Sequence, residues 1–183
     1  MQFKIKHFIK SLVIIIIVSI CIIFTSIFIL REFIYPKIHF DIITIEAGKN
    51  NIDPYLILAI IKNESNFNTL ATSKKDAKGL MQIMDSTAKD INNNPNINLY
   101  DERINISLGC KYFTRLVNRY NGNYYIAICA YNAGLGNVDK WISEGIIKSD
   151  LDEYKNVDIP FSETKKYLNK VISTYKIYRA LYG

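Results

Sequence analysis

The sequence predicts an all-α domain behind a single N-terminal transmembrane helix. Three observations lead to this class. Residues 11–30 contain no charged residue, the apolar pattern after Asp41 has a helical period, and no convincing strand alternation is present. About half of the 183 residues are apolar, which is enough for a hydrophobic core. The length allows one ordinary domain and an appendage.

The N-terminus divides into a basic stub and a long apolar run. Residues 1–10 carry three lysines, and residues 11–30 read SLVIIIIVSICIIFTSIFIL. Twenty helical residues span about 30 Å, the thickness of the hydrocarbon core of a bilayer. The run is longer than the apolar region of a signal peptide, and no A-x-A-like site follows it. We expect an uncleaved anchor with a cytoplasmic N-terminus and an extracytoplasmic domain. Cleavage, or lipidation at Cys21, is the alternative.

The charge distribution bears on the choice of partner. The formal net charge is +6, and three of the 23 Lys and Arg precede the apolar run, so the remainder carries about +3. No block of Lys and Arg of the kind that tracks phosphates is present, and nucleic acid is therefore not expected as a partner. An anionic polymer outside the membrane suits the small positive excess better.

The metal-binding residue types are scarce. The chain has two histidines and no Cys-x-x-Cys, so we expect neither a metal nor a cofactor. Cys110 and Cys129 fall in helical patterns at places that a small residue would fill. We favour two buried thiols there, with a disulfide as the alternative.

A linker over residues 31–41 is predicted to lead into a domain over residues 42–183. A short helix is expected at residues 42–50. Asp53, followed by proline, is expected to cap an apolar helix that ends near Asn63. The polar, irregular stretch after it predicts a loop over 66–78 and either a turn or an extended segment over 79–84.

The middle of the domain is bounded by similar signals. Asp85 or Ser86 is expected to cap a short helix before an asparagine-rich loop over 92–98. Asp101 is expected to cap a long helix that ends at Asn121-Gly122-Asn123. The apolar side chains of that helix recur every fourth residue: Ile104, Leu108, Tyr112, Leu116 and Tyr120.

The C-terminal part continues as helices. A buried helix is expected over 124–132. Gly134 and Gly136 are expected to break it before a short helix over 137–144. Ser162 is expected to cap the last helix. The apolar stripe of this last helix consists of Tyr167, Leu168, Val171, Ile172, Tyr175 and Tyr178.

One carboxylate, Glu64, stands at the end of the most apolar helix, in the stretch NESNFNTLA. The C-terminal end of a helix dipole and an apolar wall both disfavour the charged form, so a raised pKa is expected. A carboxylic acid that stays protonated near neutral pH can act as a general acid toward a glycosidic oxygen. Taken alone, a glutamate at a helix end is more commonly a solvated residue than a catalytic one.

Several separated motifs decide between these interpretations. In chain order, these motifs are NESNF, ATS, GLMQIM, STA, AYNAGLGNV and PFSETKKYLNKV. With them, the sequence resembles the lytic transglycosylases of the soluble-lytic family, which have a lysozyme-like α domain. The resemblance covers roughly residues 42–178. It implies a murein lytic transglycosylase that cleaves peptidoglycan glycan strands and forms 1,6-anhydromuramyl ends without a cofactor.

The resemblance also implies roles for individual residues. Glu64 matches the sole catalytic acid and base, and Tyr131 matches a tyrosine near it. Packing alone would also account for Met84 and Tyr167, and Glu163 would also suit a helix N-terminus. The residues expected to line the cleft and contact the sugar are Ser73, Gln82, Met84, Tyr131, Asn132, Glu163 and Tyr167. Close backbone approach or positive φ is expected at Gly79, Gly134 and Gly136.

Two departures from the family pattern leave a rival open. Asp76 stands where the family commonly has glycine, and Asp85 where it has proline. Goose-type lysozymes resemble this family but carry aspartates in that region and hydrolyse with water, so a muramidase that uses Asp76 or Asp85 is the nearest alternative. A non-catalytic module that assembles an envelope protein complex is the alternative from another class.

Overall fold

The computed structural model describes residues 2–92, 97–148 and 158–183 and divides into two units, Met1–Ile38 and His39–Gly183. In the first unit, helix α1 (Gln2–Ile29) continues into a π-helical segment, Leu30–Ile34. The helix begins before the predicted anchor, within the predicted basic stub, and the π-helical segment extends past the anchor into the predicted linker. The helical path ends at Tyr35 (φ −127°, ψ 58°), because a following proline disfavours the α conformation.

This unit contains a helix long and apolar enough to cross a membrane, Ile9–Ile34, and none of it is buried within the protein. Its 26 residues exceed the roughly 20 that are needed to cross the hydrocarbon core of a bilayer. By length and composition, this segment fits the predicted anchor.

The second unit is helical, in agreement with the predicted all-α class. Its only β-type pairings among the described residues are isolated bridges at Thr72, Lys78 and Ile83. The helices are α2 (Phe40–Lys49), α3 (Pro54–Glu64), α4 (Asp85–Ile91), α5 (Glu102–Arg119), α6 (Tyr124–Ala133), α7 (Leu135–Ser143) and α8 (Ser162–Tyr182).

Helices α3, α6 and α8 form the centre of the core. Residues 56–61 of α3 and residues 126–130 of α6 are all buried, and α8 packs against both helices. Each fully buried leucine or isoleucine contributes about 1.5–3 kcal/mol through removal of apolar surface from water. The core therefore fixes the end of α3, where Glu64 lies.

Two of the four predicted helix caps are confirmed. The Asp53 side chain accepts a hydrogen bond from the Tyr55 amide at 2.9 Å, and Asp101 accepts one from the Ile104 amide at 2.9 Å. The predicted break after α5 is confirmed as well, because Asn121 (φ 53°) and Gly122 (φ 85°) both adopt left-handed conformations.

Three predicted boundaries are wrong. Helix α4 already includes Asp85 and has Met84 in the N-cap position without a side-chain bond, because the Asp85 carboxylate binds Lys78 instead. Helix α8 begins at Ser162, one residue after its cap, Phe161. Gly136 lies inside α7 and breaks nothing. Gly134 (φ 82°) alone separates α6 from α7.

The predicted stripe of α5 is also partly wrong. Ile104 is exposed, and the buried face begins instead with Asn105, which has no exposed surface. A row of every fourth residue drifts by about 40° per step around a helix with 3.6 residues per turn, so it leaves the core-facing side. In α8, Tyr175 is only half-buried although it lies in the predicted stripe.

The two cysteines of the second unit are buried free thiols, as favoured from the sequence. Burial raises the pKa of both Cys110 and Cys129 to about 12. They are therefore neutral, inert core residues.

Candidate active site

Glu64 is the last residue of α3, at the C-terminal end of the buried central helix. The chain turns away sharply after it, because Asn66 (φ 48°) and Phe67 (φ 64°) both have left-handed backbones. A positive φ is unfavourable for a bulky residue such as phenylalanine, and such strain concentrates at functional sites. Glu64 itself is half-buried at the point of this reversal.

The protonation of Glu64 is set by burial. Desolvation raises the pKa of its carboxyl to about 7, against an opposing effect from a hydrogen bond donated by Tyr167. The Tyr167 hydroxyl lies 2.5 Å from Glu64 Oε1. At neutral pH the acid and the carboxylate are therefore both well populated, which suits a group that must give and then take a proton.

Tyr167, on α8, is buried and remains protonated. Burial, and then the nearby charge of Glu64, hold the pKa of its hydroxyl well above the usual value for tyrosine. It is therefore a permanent donor to Glu64. The predicted apolar stripe of α8 accounts for the packing of its ring, so the residue serves both the core and the site.

Tyr131, near the end of α6, approaches the same carboxylate. Burial raises the pKa of its hydroxyl well above the usual value, and the charge of Glu64 is the next largest cause. The hydroxyl donates to the backbone carbonyl of Met81 at 2.7 Å. Its ring packs against Tyr112 and Phe113, with centroids at 5.5 and 6.1 Å. Tyr131 thus links α5, α6 and the GLMQIM segment beside Glu64.

The GLMQIM segment is a tight loop built around Gln82. Gln82 has a left-handed backbone (φ 48°), and its side-chain amide donates to the carbonyls of Gly79 at 2.9 Å and Ala71 at 3.2 Å. Gly79 (φ 74°) is required, because a Cβ there would lie 2.3 Å from the Leu99 carbonyl oxygen. The Gln82 side-chain nitrogen therefore stabilises the loop conformation by donating to backbone carbonyls within and beside it.

The other residues that were predicted to contact the sugar differ in solvent exposure and in their hydrogen-bond partners. Asn132 accepts a hydrogen bond from the Thr164 hydroxyl at 2.8 Å, which ties the end of α6 to the start of α8. Ser73 is exposed, and its hydroxyl accepts from the amides of Lys75 and Ala77, at 3.2 and 3.1 Å, in a local turn. Met84 is 43% exposed.

Glu163 is exposed in the first turn of α8, where a carboxylate favours the helix dipole. The structure thus brings Glu64, Tyr167 and Tyr131 together and gives structural tasks to Gln82, Asn132 and Ser73. The sugar contacts implied for these residues, and for Met84 and Glu163, stay predictions.

The two extra aspartates share one cation. Lys78 Nζ lies 2.8 Å from Asp85 Oδ2 and 3.4 Å from Asp76 Oδ2, and both carboxylates are mostly exposed. The hydrogen bond to Asp85 is the largest cause of a raised Lys78 pKa. Within residues 2–92, 97–148 and 158–183, no group of three His, Cys, Asp or Glu side chains could hold a metal ion.

Two residues of α5 were missed by the sequence analysis. Asn105 is fully buried and bonds the backbone of Lys78, Met81 and Leu99. Gly109 provides space for the Met81 side chain. A polar residue and a glycine, four apart on the core face of a helix, are the signal that could have identified them.

A cavity of about 560 Å³ lies at the opposite end of α3, lined by Asp53, Asn123 and Tyr175 among others. Its polar lining is committed to the fold: Asp53 caps α3 and accepts from the Tyr175 hydroxyl at 2.8 Å, and Asn123 caps α6. An eleven-residue helix places it about 15 Å from Glu64. We therefore assign the candidate site to the Glu64 cluster.

Together, the fold and the site define an all-α domain with one half-buried carboxyl group near two tyrosines, Tyr167 and Tyr131. The model of the family described as "Transglycosylase SLT domain" matches residues 41–152. This chain belongs to that family.

Individual relatives and solved structures agree. The membrane-bound lytic murein transglycosylase C of Edwardsiella ictaluri is 34% identical over 168 residues, which cover 78% of this chain and 47% of the relative. The 70 kDa soluble lytic transglycosylase of Escherichia coli superposes with a TM-score of 0.72 at 27% identity over 81% of this chain and 25% of its own.

A lytic transglycosylase from Pseudomonas aeruginosa superposes with a TM-score of 0.68 at 31% identity over 80% of this chain and 24% of its own. Its structure is that of an inactive variant with one glutamate replaced by glutamine. The chain thus spans less than half the length of the proteins it matches.

Proposed function

We propose that this protein is a membrane-anchored lytic transglycosylase that cleaves the MurNAc–GlcNAc bond of peptidoglycan and leaves 1,6-anhydromuramyl ends. The observation that carries the proposal is the half-buried Glu64, with its pKa near 7 and a tyrosine hydroxyl on one oxygen. The names of the relatives support the substrate class. The inactive glutamate-to-glutamine variant of the Pseudomonas relative supports a catalytic glutamate.

The proposed reaction uses Glu64 twice. The protonated carboxyl donates its proton to the glycosidic oxygen as the bond from that oxygen to the muramyl C1 breaks, and the released sugar leaves with a hydroxyl group. The Glu64 carboxylate then accepts the proton of the muramyl 6-hydroxyl, whose oxygen forms the new bond to C1. The attacking group is already tethered to the reacting sugar, which gives the advantage of an intramolecular reaction.

Tyr167 has a defined part in this cycle. Its hydroxyl donates to Glu64 Oε1 and, because its pKa is raised, does not compete as a base. A hydrogen bond to the carboxylate is stronger than one to the neutral acid. Tyr167 therefore stabilises Glu64 in the interval after the first proton transfer and before the second.

This function predicts that the purified full chain, in mild detergent, releases soluble fragments from peptidoglycan sacculi. The rate at low substrate should fall as pH rises through about 7, because the starting acid must be protonated. The measurement is fragment release against pH, with a lysozyme digestion to show that the sacculi are cleavable. No release at any pH, from sacculi that lysozyme digests, would remove the proposal.

We also propose that residues 9–34 anchor the chain in the cell membrane with the catalytic domain on the extracytoplasmic side. The exposed apolar helix and the membrane-bound relative support this. The chain should sediment with membranes, resist salt extraction and dissolve in detergent, and protease added outside the membrane should digest the domain. Recovery of a soluble, N-terminally trimmed chain from untreated cells would contradict the anchor.

A further inference from the structure

Asn105 uses its side chain to hold a loop that belongs to a different part of the chain. Its Oδ1 accepts from the Met81 amide at 2.7 Å, and its Nδ2 donates to the carbonyls of Lys78 at 2.8 Å and Leu99 at 2.7 Å. The side chain has no exposed surface. A buried amide with three short bonds specifies one backbone arrangement, because leaving any partner unbonded is costly.

One turn further along α5, Gly109 fixes the other side of the same loop. A Cβ at this position would lie 2.2 Å from Met81 Sδ and 2.9 Å from Met81 Cβ. Met81 is fully buried, so its side chain has little room to retreat. Residues four apart share one face of a helix, and this face of α5 therefore contacts both the backbone and the side chain of Met81.

Met81 passes this constraint to the candidate site. Its amide is held by Asn105, and its carbonyl accepts the Tyr131 hydroxyl at 2.7 Å. Tyr131 lies close enough to Glu64 for the carboxylate charge to affect it. The next turn of α5 supports the Tyr131 ring from the side through Tyr112 and Phe113.

We infer that Asn105 and Gly109 are positioning residues: through Met81 they hold the Tyr131 hydroxyl, and with it the wall of the cleft, in register with Glu64. Neither residue needs to touch the substrate. The inference rests on the proposed function for its kinetic consequences, although the positioning itself can be measured without turnover.

The kinetic test uses the full chain and a defined soluble peptidoglycan glycan. Asn105→Ala and Gly109→Ala should each lower kcat about 10–100-fold and leave KM within about threefold, because small misplacements near a reacting group cost that much. Gly48→Ala is the matched control for Gly109→Ala, since Gly48 is also helical and its added Cβ would meet nothing within 4 Å. Asp101→Ala removes a cap from the same helix as Asn105. Both controls should keep the wild-type kcat.

A double-mutant cycle separates positioning from stability. Asn105→Ala combined with Tyr131→Phe should be little slower than the worse single variant, because both break the same chain of contacts. If the double variant loses activity by the product of the two single losses, the inference is overturned. It is also overturned if Asn105→Ala and Gly109→Ala have the same kcat as the control variants. If Asn105→Ala does not fold, Gly109→Ala provides the test, because the better helix propensity of alanine offsets part of the cost of displacing the Met81 side chain.

A titration of Glu64 by carboxyl-carbon NMR provides the readout that does not depend on activity. In Gly109→Ala the pKa of Glu64 should move by at least about half a unit toward its ordinary value, because a displaced cleft wall admits water. Gly48→Ala should titrate as the wild type does. If the wild type is inactive but the pKa of Glu64 still shifts in Gly109→Ala, the proposed function alone is refuted. If the titration of Glu64 is unchanged in Gly109→Ala, the positioning role is refuted.

Discussion

Glu64→Gln should lower the rate of glycan cleavage by at least about 10²–10⁴-fold, the usual scale for a general acid–base group. Glutamine keeps the shape of the side chain and can still accept the Tyr167 hydrogen bond, but its amide protons are not acidic enough to be transferred to the glycosidic oxygen. Because the proposed cycle uses the same carboxyl again as a base, the loss can exceed this range. The measurement is kcat on a defined glycan with purified wild type and variant.

The stability of Glu64→Gln shows whether its fold is intact. The folded pKa of Glu64, about 7, lies above its ordinary value of 4.5, so the native state of the wild type binds the proton more tightly than the unfolded state does. Wild-type stability is therefore lost as pH rises from about 4.5 through about 7. Thermal unfolding of Glu64→Gln should depend less on pH in this window. A folded variant with near-normal turnover would place the chemistry elsewhere.

Asp76→Asn and Asp85→Asn, singly or together, should leave most of the rate. Both carboxylates are largely exposed and share Lys78, with distances of 3.4 and 2.8 Å, so neither is held as a desolvated base. The muramidase alternative predicts the opposite, because loss of the group that orients water should cost orders of magnitude. The measurement is kcat of the three variants, with Glu64→Gln as the inactive reference. A large loss in either single variant would favour hydrolysis.

The helical class and most of the helices were predictable because their signals are local. Asp53 and Asp101 lie two and three residues before the amides that they cap, and the left-handed break at Gly122 follows from glycine and its neighbours. The predictions that Asp85 and Ser162 cap their helices were wrong because they used the same local signals. Each is an acceptable cap by residue type, but the Asp85 carboxylate has a stronger partner in Lys78, seven residues away.

The site was predictable only in part. The raised pKa of Glu64 follows from its place after an apolar helix, and the structure bears this out. Its contact with Tyr167 joins residues 103 apart, and that of Tyr131 with Met81 joins residues 50 apart. Helical periodicity does not encode such distances. Asn105 was missed because its partners are backbone groups of a loop, which leave no pattern in their own side chains.

The central claim is that one carboxyl group acts first as acid and then as base, so that no water enters the bond-breaking step. Mass spectrometry of the glycan ends released by the purified wild-type protein tests this most directly. The primary products should end in anhydromuramyl residues, each lighter by one water than a hydrolytic end, and should be absent with Glu64→Gln. Reducing muramyl ends as the primary product would contradict the claim.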